Sequence, residues 1–433
     1  MPNTEISAGT IVAAPTLFGV PVDFFLFAAV LAGVALLQHH TLRVAVTGLV
    51  AIIVYKTVFT GFKFGPGLPG FVVHLQQELV TLSNLFMLLV GFALLSRHFE
   101  KTRIPAVLPR FLPHDWRGAF WLLVIVFVLS SFLDNIAAAL IGGAMAHTLF
   151  RAKVHIGYLA AIVAASNAGG SGSVVGDTTT TMMWIAGVNP LDVLHAYVAA
   201  GTALIVFGVP AALQQQRYSP ILKHEHQYIH IDWPRVGIVA AILGVAIATN
   251  VVVNVQFPDL SDAFPFIGAS VVVVLLLSTF LRRPDWEILP EAVKGSVFLL
   301  SLVLSATMMP VETLPAASWG TALGLGFVSA VFDNIPLTAL GLKQGGYDWG
   351  VLAYCVGFGG SMIWFGSSAG VALSNLFPES KSAISWVREG WHVAVAYVVG
   401  FVVLMIILGW QPNAPHRLVR PFEPLMLFDI TAL

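Results

Sequence analysis

The chain consists of long apolar stretches separated by short polar connections. Most stretches are about 16 to 24 residues long, the length at which a helix rising 1.5 Å per residue crosses roughly 30 Å of hydrocarbon. A soluble core would not need runs of this length. We therefore predict an all-α polytopic membrane protein with ten spans, at residues 22–37, 42–59, 72–95, 157–185, 193–213, 236–253, 267–281, 293–309, 351–376 and 393–410.

Two further apolar stretches, 119–150 and 321–342, are interrupted at the centre by the tripeptide Asp-Asn-Ile, which begins at Asp134 and at Asp333. Lys and Arg gather in cytoplasmic loops, and basic residues flank both ends of the first stretch. A segment that enters and leaves on one side is a re-entrant hairpin, with its tip at the Asp-Asn pair. When the crossings are counted onward from this hairpin, 16 of the 21 Lys and Arg residues fall on the cytoplasmic side, and the second hairpin opens to the outside.

The order of these elements repeats along the chain. Each half contains three spans, a hairpin, an interrupted span and a final span, and five crossings force the second half into the opposite orientation. Inverted repeats with discontinuous helices are typical of secondary transporters, which bind substrate where the repeats meet. The predicted organisation is an extracytoplasmic N-terminus at 1–21, a first repeat at 22–213 with hairpin 119–150 and broken helix 157–185, a cytoplasmic connector at 214–235, a second repeat at 236–410 with hairpin 321–342 and broken helix 351–376, and an extracytoplasmic tail at 411–433.

The interrupted spans carry the strongest evidence for this repeat. Gly-Gly-Ser at 169–171 and Gly-Asp-Thr at 176–178 align without a gap on Gly-Gly-Ser at 359–361 and Gly-Ser-Ser at 366–368, at a constant offset of 190. Close helix packing through small residues is the alternative explanation, but five consecutive polar residues from Asp177 onward favour a polar site. Because unwound backbone at membrane depth must be buried or line a cavity, we predict helix breaks inside the protein, at Gly169, Gly170, Gly176, Gly359, Gly360 and Gly366.

Composition excludes several classes of function. Hydrophobic residues make up 57% of the chain and charged residues 10%, with a mean hydropathy of +0.86, so the lipid bilayer is the expected partner. The net charge of −1 gives no indication of nucleic-acid binding, and the single cysteine, Cys355, excludes an internal disulfide. The sequence contains no nucleophile–base pairing, zinc motif or phosphate loop. It therefore predicts a transporter without a cofactor rather than an enzyme.

Three acids, Asp134, Asp177 and Asp333, fall near the middle of the membrane in this topology. A charged residue at that depth costs at least about 2.5 to 3.5 kcal/mol, so each is a candidate functional residue. The structural alternative is a carboxylate that caps the N-terminus of a hairpin helix, since Asp and Asn are good N-caps. The two roles are compatible, because a capping residue can also face a substrate.

The chemistry of the polar residues favours a cation. No Lys or Arg lies near the centre of any broken element. Carboxylate, amide and hydroxyl oxygens suit a hard cation or a proton, whereas an anion would meet little positive charge apart from helix N-termini. The predicted cation and proton site consists of Asp134, Asn135, Asn167, Asp177, Thr178, Thr179, Asp333, Asn334, Ser361, Ser367 and Ser368, with Na⁺ held at the three acids.

The residues around the breaks resemble a known family. The segment SNAGGSGSVVGDTTTTMMWI at 166–185 resembles the signature of NhaD-type sodium/proton antiporters, in the ion transporter superfamily that also contains arsenite and di- or tricarboxylate carriers. VFDNIPLTAL at 331–340 and AYCVGFGGSMIWFGSSAGVALSNLFPE at 353–379 resemble the second half of that family. One departure is Gly-Ser-Val-Val at 172–175, where the family commonly has a Trp-Ser-Pro-Ile type of stretch.

The resemblance implies an inner-membrane antiporter of Na⁺ or Li⁺ against H⁺. It implies a homodimer with a scaffold domain and a mobile transport domain, which carries both hairpin tips and both broken helices in an elevator movement. Two alternatives stay open: a sodium-coupled symporter of an anion, oxyanion or dicarboxylate, and a transporter of another cation such as a divalent metal. The residues that the resemblance assigns to the cation and proton site are Asp134, Asn135, Asp177, Thr178, Asp333 and Asn334.

Overall fold

The computed structural model of the chain describes residues 15–221, 230–257 and 263–413. The predicted terminal segments 1–21 and 411–433 and the predicted connector 214–235 lie partly outside the described residues. Apart from a small antiparallel pair of strands, Thr16–Leu17 and Val20–Pro21, the regular structure of the described part is helical.

The helices follow the order of the predicted apolar stretches. In the first half they are α1 Val22–Leu36, α2 Thr41–Tyr55, α3 Gly67–Lys101, α4 Ile104–Val107, α5 Trp116–Ser130, α6 Asn135–Leu149, α7 Ile156–Ser171, α8 Thr178–Ile185, α9 Pro190–Leu194 and α10 Ala196–Tyr218. In the second half they are α11 Trp233–Val251, α12 Phe266–Ser278, α13 Leu289–Thr307, α14 Trp319–Ser329, α15 Asn334–Gln344, α16 Trp349–Gly359, α17 Ser368–Leu376, α18 Ala383–Glu389 and α19 Trp391–Ile407.

Several of these helices are long and apolar enough to cross a membrane. In the described ranges five continuous helical segments meet that condition, and α18 with α19 forms a sixth that is bent by 62°. The five are Thr41–Thr60, Gly67–Lys101, Pro190–Tyr218, Trp233–Val251 and Trp286–Thr307. The protein is therefore an all-α polytopic membrane protein, as predicted. The remaining apolar helices, among them α1 and α12, are shorter.

Helix breaks are present in both halves, at 172–177 and 360–367 in the broken helices. Of the glycines predicted at the breaks, Gly176, Gly360 and Gly366 lie in them, whereas Gly169, Gly170 and Gly359 belong to the preceding helices. The helix pair α5 and α6 is interrupted before Asp134, and the pair α14 and α15 before Asp333, with nearly identical backbone angles of φ −53° and ψ 141° or 138°. The first broken helix, α7 and α8, resumes after Asp177 and the second, α16 and α17, resumes after Ser367, again with closely matching angles. The same local structure is thus built twice from corresponding residues.

The broken helices lie at the centre of the protein. Every residue of α16 and the run 157–171 of α7 is buried, and α7 packs against α5, α10 and α16. A corresponding hydrogen bond joins each helix pair to its broken helix: Ser130 Oγ donates to the Ser166 carbonyl at 2.5 Å and Ser329 Oγ to the Val356 carbonyl at 2.7 Å. Burial in protein lets the irregular backbone of the breaks exist at membrane depth.

Candidate cation site

Four helix N-termini converge at the breaks. Asp134, Asp177, Asp333 and Ser367 are the N-cap residues of α6, α8, α15 and α17. An N-cap side chain in extended conformation can accept a hydrogen bond from a free N–H of the first helical turn. Asp177, Asp333 and Ser367 do so, and the partial positive charge of a helix N-terminus favours an anionic cap.

Asn167 links the two halves of the molecule. Its Oδ1 accepts a hydrogen bond from Asn135 Nδ2 at 3.0 Å, while its own Nδ2 donates to Ser361 Oγ at 2.9 Å and to Ser367 Oγ at 3.1 Å. All four residues are buried. The tip of the first helix pair is therefore tied through one amide to the second broken helix.

Asp177 is the most deeply buried of the three acids, with 2% of its surface exposed. Its Oδ1 accepts a hydrogen bond from the Thr179 backbone N–H at 3.1 Å, and the Thr179 side chain lies beside the same carboxylate. Its Oδ2 has no hydrogen-bond partner among the described residues. Asp134 and Asp333 are both close enough to act on it electrostatically. The Thr179 hydroxyl also has no hydrogen-bond partner among these residues, so one carboxylate oxygen and this neighbouring hydroxyl are available to a ligand or to each other.

The threonine side chains after Asp177 make different contacts. Thr180 Oγ1 donates to the Ser173 carbonyl at 2.5 Å, and Thr181 Oγ1 donates to the Val174 carbonyl at 3.0 Å. These carbonyls have lost intrahelical partners where α7 ends. The two hydroxyls therefore stabilise the break, and Thr178 and Thr181 also line the cavity described below.

Asp333 and Ser368 join the second helix pair to the second broken helix. Asp333 Oδ1 accepts from the Ile335 N–H at 3.0 Å and Oδ2 accepts from Ser368 Oγ at 2.9 Å. Asp333 and Asp134 are each half-buried. The three acids converge, yet within the described ranges no three His, Cys, Asp or Glu side chains are arranged to hold one metal ion. The predicted Na⁺ positions at the three acids therefore do not form a single multi-carboxylate chelate.

A cavity of about 490 Å³ reaches the first of these sites. Its inner end is formed by Asp134, Asp177 and Thr178, and its outer end by Arg97 and Glu100 at the end of α3 together with Glu291 at the start of α13. Most of the wall between is apolar, with Leu88, Phe92, Ala292 and Leu299 among its residues. A second cavity of about 250 Å³ reaches Asp333 and Ser368.

The basic residue in the lining of the larger cavity is already paired. Arg97 forms ion pairs with Glu100 and, at 3.6 Å, with Asp285, which also binds Lys101 Nζ at 2.8 Å. The hydrogen bond from Lys101, with the charges of Lys101 and Arg97, holds the pKa of the Asp285 carboxyl below its usual value. The positive charges at the outer end of the cavity are therefore neutralised by neighbouring acids. The cavity as a whole suits a cation better than an anion.

Two residues at the site were not in the predicted set. A Cβ built on Gly357 would lie 3.6 Å from Asp177 Oδ2, the free carboxylate oxygen, and 3.4 Å from the Cβ of Ser171, so both residues border the position of Gly357. The offset of 190 between the repeats could have identified them from the sequence. It pairs Ser171 with Ser361 and Gly357 with Asn167, both of which were predicted.

The chain is similar to known transporters along most of its length. Residues 25–357 match the family described as citrate transporter, CitMHS. Sodium/proton antiporter 1 of Arabidopsis thaliana is 28% identical over 294 residues, which cover 58% of this chain and 49% of that protein. The chain thus matches about half the length of that plant relative.

Bacterial relatives match over a larger share of their own length. The Na⁺/H⁺ antiporter NhaD of Halomonas elongata is 24% identical over 361 residues, 72% of this chain and 71% of that protein. The Na⁺/H⁺ antiporter NhaD of Vibrio parahaemolyticus is 27% identical over 310 residues, 60% of this chain and 73% of that protein. These matches confirm the resemblance to NhaD-type antiporters that the motifs indicate.

Proposed function

This chain belongs to the citrate transporter family, CitMHS, and on that premise we propose that it is a secondary transporter that exchanges Na⁺ or Li⁺ for H⁺. The observation that carries the proposal is the Asp177 carboxylate, buried at a helix N-terminus with one oxygen free of hydrogen bonds from the described residues. Relatives named as sodium/proton antiporters support the same assignment.

Exchange requires a group that binds either ion but not both at once. A carboxylate that binds a proton loses the charge that holds a cation, and a bound cation disfavours protonation. Asp177 can serve in this way because its second oxygen faces space next to Gly357. Ser367, the corresponding residue of the other repeat, is a hydroxyl and cannot replace it. We assign the competition between the ions to Asp177, with Asp134 and Asp333 as neighbouring acids.

Two other cargoes fit the site less well. A citrate-like anion would require positive charge, and the lining of the larger cavity supplies only Arg97, which is paired with acids. A divalent metal is usually held by several carboxylates, and the described residues contain no such group. A monovalent cation needs one carboxylate and neutral oxygens, which the site supplies.

We extend the proposal to the architecture. Ten spans and two re-entrant hairpins, 119–150 and 321–342, form inverted repeats at 22–213 and 236–410. The hairpin tips and broken helices form a transport domain that moves as an elevator against a scaffold, and the protein is an inner-membrane homodimer with both termini outside. The recurrence of matching N-caps at corresponding positions supports the repeats. The bias of basic residues supports the orientation.

Proton movement in proteoliposomes tests the function. Purified protein is reconstituted with a pH-sensitive dye inside, and Na⁺, Li⁺, K⁺ or Ca²⁺ is added outside with no organic anion present. We expect Na⁺ and Li⁺ to drive protons out of the vesicles, and K⁺ and Ca²⁺ to leave the pH unchanged. A requirement for citrate or another carboxylate before Na⁺ has any effect would contradict antiport and favour symport.

Cysteine labelling tests the orientation. Ala292 lines the larger cavity near its mouth, Lys63 is exposed on the side predicted to be outside, and the native Cys355 is fully buried. A membrane-impermeant maleimide should label Ala292→Cys in inside-out vesicles and Lys63→Cys in right-side-out vesicles. The unsubstituted protein, which contains only Cys355, should remain unlabelled in both. Labelling of both variants from the same side would contradict the proposed topology.

A further inference from the structure

Two polar clusters occupy corresponding positions in the two repeats. The offset of 190 relates Asn167, Ser171 and Asp177 to Gly357, Ser361 and Ser367, and the offset of 199 between the two Asp-Asn pairs relates Asn135 to Asn334. Each cluster combines residues from both repeats, and we call them the amide cluster and the carboxylate cluster. The amide cluster consists of Asn135, Asn167, Ser361 and Ser367, and the carboxylate cluster of Asn334, Gly357, Ser171 and Asp177.

Three-dimensional contacts support the correspondence. Ser130 bonds to the Ser166 carbonyl, and Ser329, at the offset of 199, bonds to the Val356 carbonyl, at the offset of 190. The neighbours also agree. Asn167 contacts Ser361 and Ser367, and a Cβ on Gly357 would face Ser171 and Asp177, their counterparts. The same arrangement therefore surrounds position 167 and position 357.

The clusters differ in how their polar atoms are satisfied. In the amide cluster the Asn167 nitrogen bridges the hydroxyls of Ser361 and Ser367 at 2.9 and 3.1 Å. In the carboxylate cluster Gly357 has no side chain at this place, and a carboxylate replaces one hydroxyl. Asp177 Oδ2 then has no hydrogen-bond partner among the described residues, although Asp177 is only 2% exposed. Asn334 Nδ2 is likewise unpaired among these residues, but as a hydrogen-bond donor it cannot bind a cation. Buried polar atoms are normally paired, so this arrangement indicates a ligand.

We propose that the transported cation binds in front of Gly357, between Asp177 Oδ2 and Ser171 Oγ, and that Gly357 sets the size of this position. The cation takes the place that the Asn167 nitrogen has in the amide cluster. The hydrogens on the Asn167 amide nitrogen carry partial positive charge and interact with two hydroxyl oxygens. A cation carries a full positive charge, and the Asp177 carboxylate, which replaces one of the two hydroxyls, supplies the matching negative charge. Asn167, whose two amide hydrogens are both donated within the protein, is then a brace rather than a ligand.

The inference rests on the proposed exchange of Na⁺ for H⁺ and makes it more specific. It adds Ser171 and Gly357 to the site and removes Asn167, Ser361 and Ser367 from direct contact with the ion. Ser171 Oγ donates to the Ala168 carbonyl at 2.8 Å in its own helix, so its lone pairs can still face a cation.

Gly357→Ala is the first test. The added methyl group would make ordinary contacts of 3.4 Å and 3.6 Å inside a helix, so the protein should fold. The methyl narrows the ion position, and we expect the KM for Na⁺ to rise about tenfold while the KM for the smaller Li⁺ rises less than about threefold. The matched control is Gly244→Ala in α11, where an added Cβ meets nothing within 4 Å. Its KM values should equal those of the unsubstituted protein.

Ser171→Ala is a second test that does not depend on the first. It removes one oxygen whose observed hydrogen bond is internal to α7, so packing is retained. We expect the KM for Na⁺ to rise about fivefold through loss of the ligand. The inference would be overturned if both variants, Gly357→Ala and Ser171→Ala, had the same KM for Na⁺ and the same KM for Li⁺ as the unsubstituted protein. Failure of the unsubstituted protein to couple Na⁺ to protons would instead overturn the proposed function.

Discussion

Asp177→Asn is expected to reduce Na⁺-driven proton movement to the level of empty vesicles while the protein stays folded. Asn is as good an N-cap as Asp, so the hydrogen bond from the Thr179 N–H and the start of α8 should persist. The substitution keeps the shape of the side chain and removes its titratable charge. If competition between cation and proton takes place on this carboxylate, neither ion can then displace the other. The measurement is dye-reported pH change in proteoliposomes at matched protein content.

Asp348→Asn is the matched control for this variant. Asp348 is also a buried Asp at a helix N-terminus, with 4% of its surface exposed, and it accepts hydrogen bonds from the Val351 and Gln411 N–H groups. It does not line either cavity described above. We expect Asp348→Asn to retain exchange. Normal exchange by Asp177→Asn at equal protein content would show that the coupling group is a different residue.

The sequence predicted the helix breaks well because the signals are local. A Gly-Gly-Ser tripeptide lies at the end of α7 and of α16, and Asp or Ser at the following N-cap restarts the helix a few residues later. Local signals also explain the error in the length of the third span. Apolar residues predict 72–95, but α3 extends over Gly67–Lys101, because the Gly-Leu-Pro-Gly-Phe segment at 67–71 and the polar segment at 96–101 are helical as well. Hydropathy predicts which residues prefer hydrocarbon, not where a helix ends.

The hydrogen-bond pattern of the site could not be predicted in the same way. Asn167 was predicted as a site residue, but nothing in the sequence indicated that its amide nitrogen donates to Ser361 and Ser367, which are 194 and 200 residues away in sequence. No periodicity in a chain carries that information. Likewise the sequence did not indicate that the hydroxyls of Thr180 and Thr181 donate to the carbonyls of the break. The offset of 190 pairs the residues, and only the packing of the two repeats shows which of them hydrogen-bond to one another.

Gly357 illustrates a second limit of sequence reasoning. A glycine inside a helix predicts either close packing or a position where a side chain would obstruct something, and the sequence cannot distinguish these. Gly169 and Gly359 are of the first kind, since an added Cβ would meet backbone at 2.0 and 2.2 Å. Gly357 has room for a methyl group but faces a carboxylate oxygen. The distance to the nearest atom, and the chemistry of that atom, separate a packing glycine from one at a binding site.

Gly169→Ala and Gly359→Ala are expected to prevent stable folding. The new Cβ would lie 2.0 Å from the Phe127 carbonyl oxygen in the first case and 2.2 Å from the Gly326 carbonyl oxygen in the second. Both atoms belong to helix backbone, in α5 and α14, and cannot turn aside as a flexible side chain can. Separating the helices should cost about 3 kcal/mol in each variant, the upper end of the usual cost of overpacking, because the atom that is met is backbone.

Thermal stability in detergent measures this effect. The variants and the control Gly201→Ala, whose added Cβ meets nothing within 4 Å in α10, are heated and then analysed by size-exclusion chromatography. We expect the control to keep the Tm of the unsubstituted protein and both packing variants to aggregate at lower temperature or fail to accumulate. Because corresponding glycines contact corresponding carbonyls, the two variants should fail to a similar degree. A normal Tm for either one would mean that its helix pair does not approach the broken helix as closely as described.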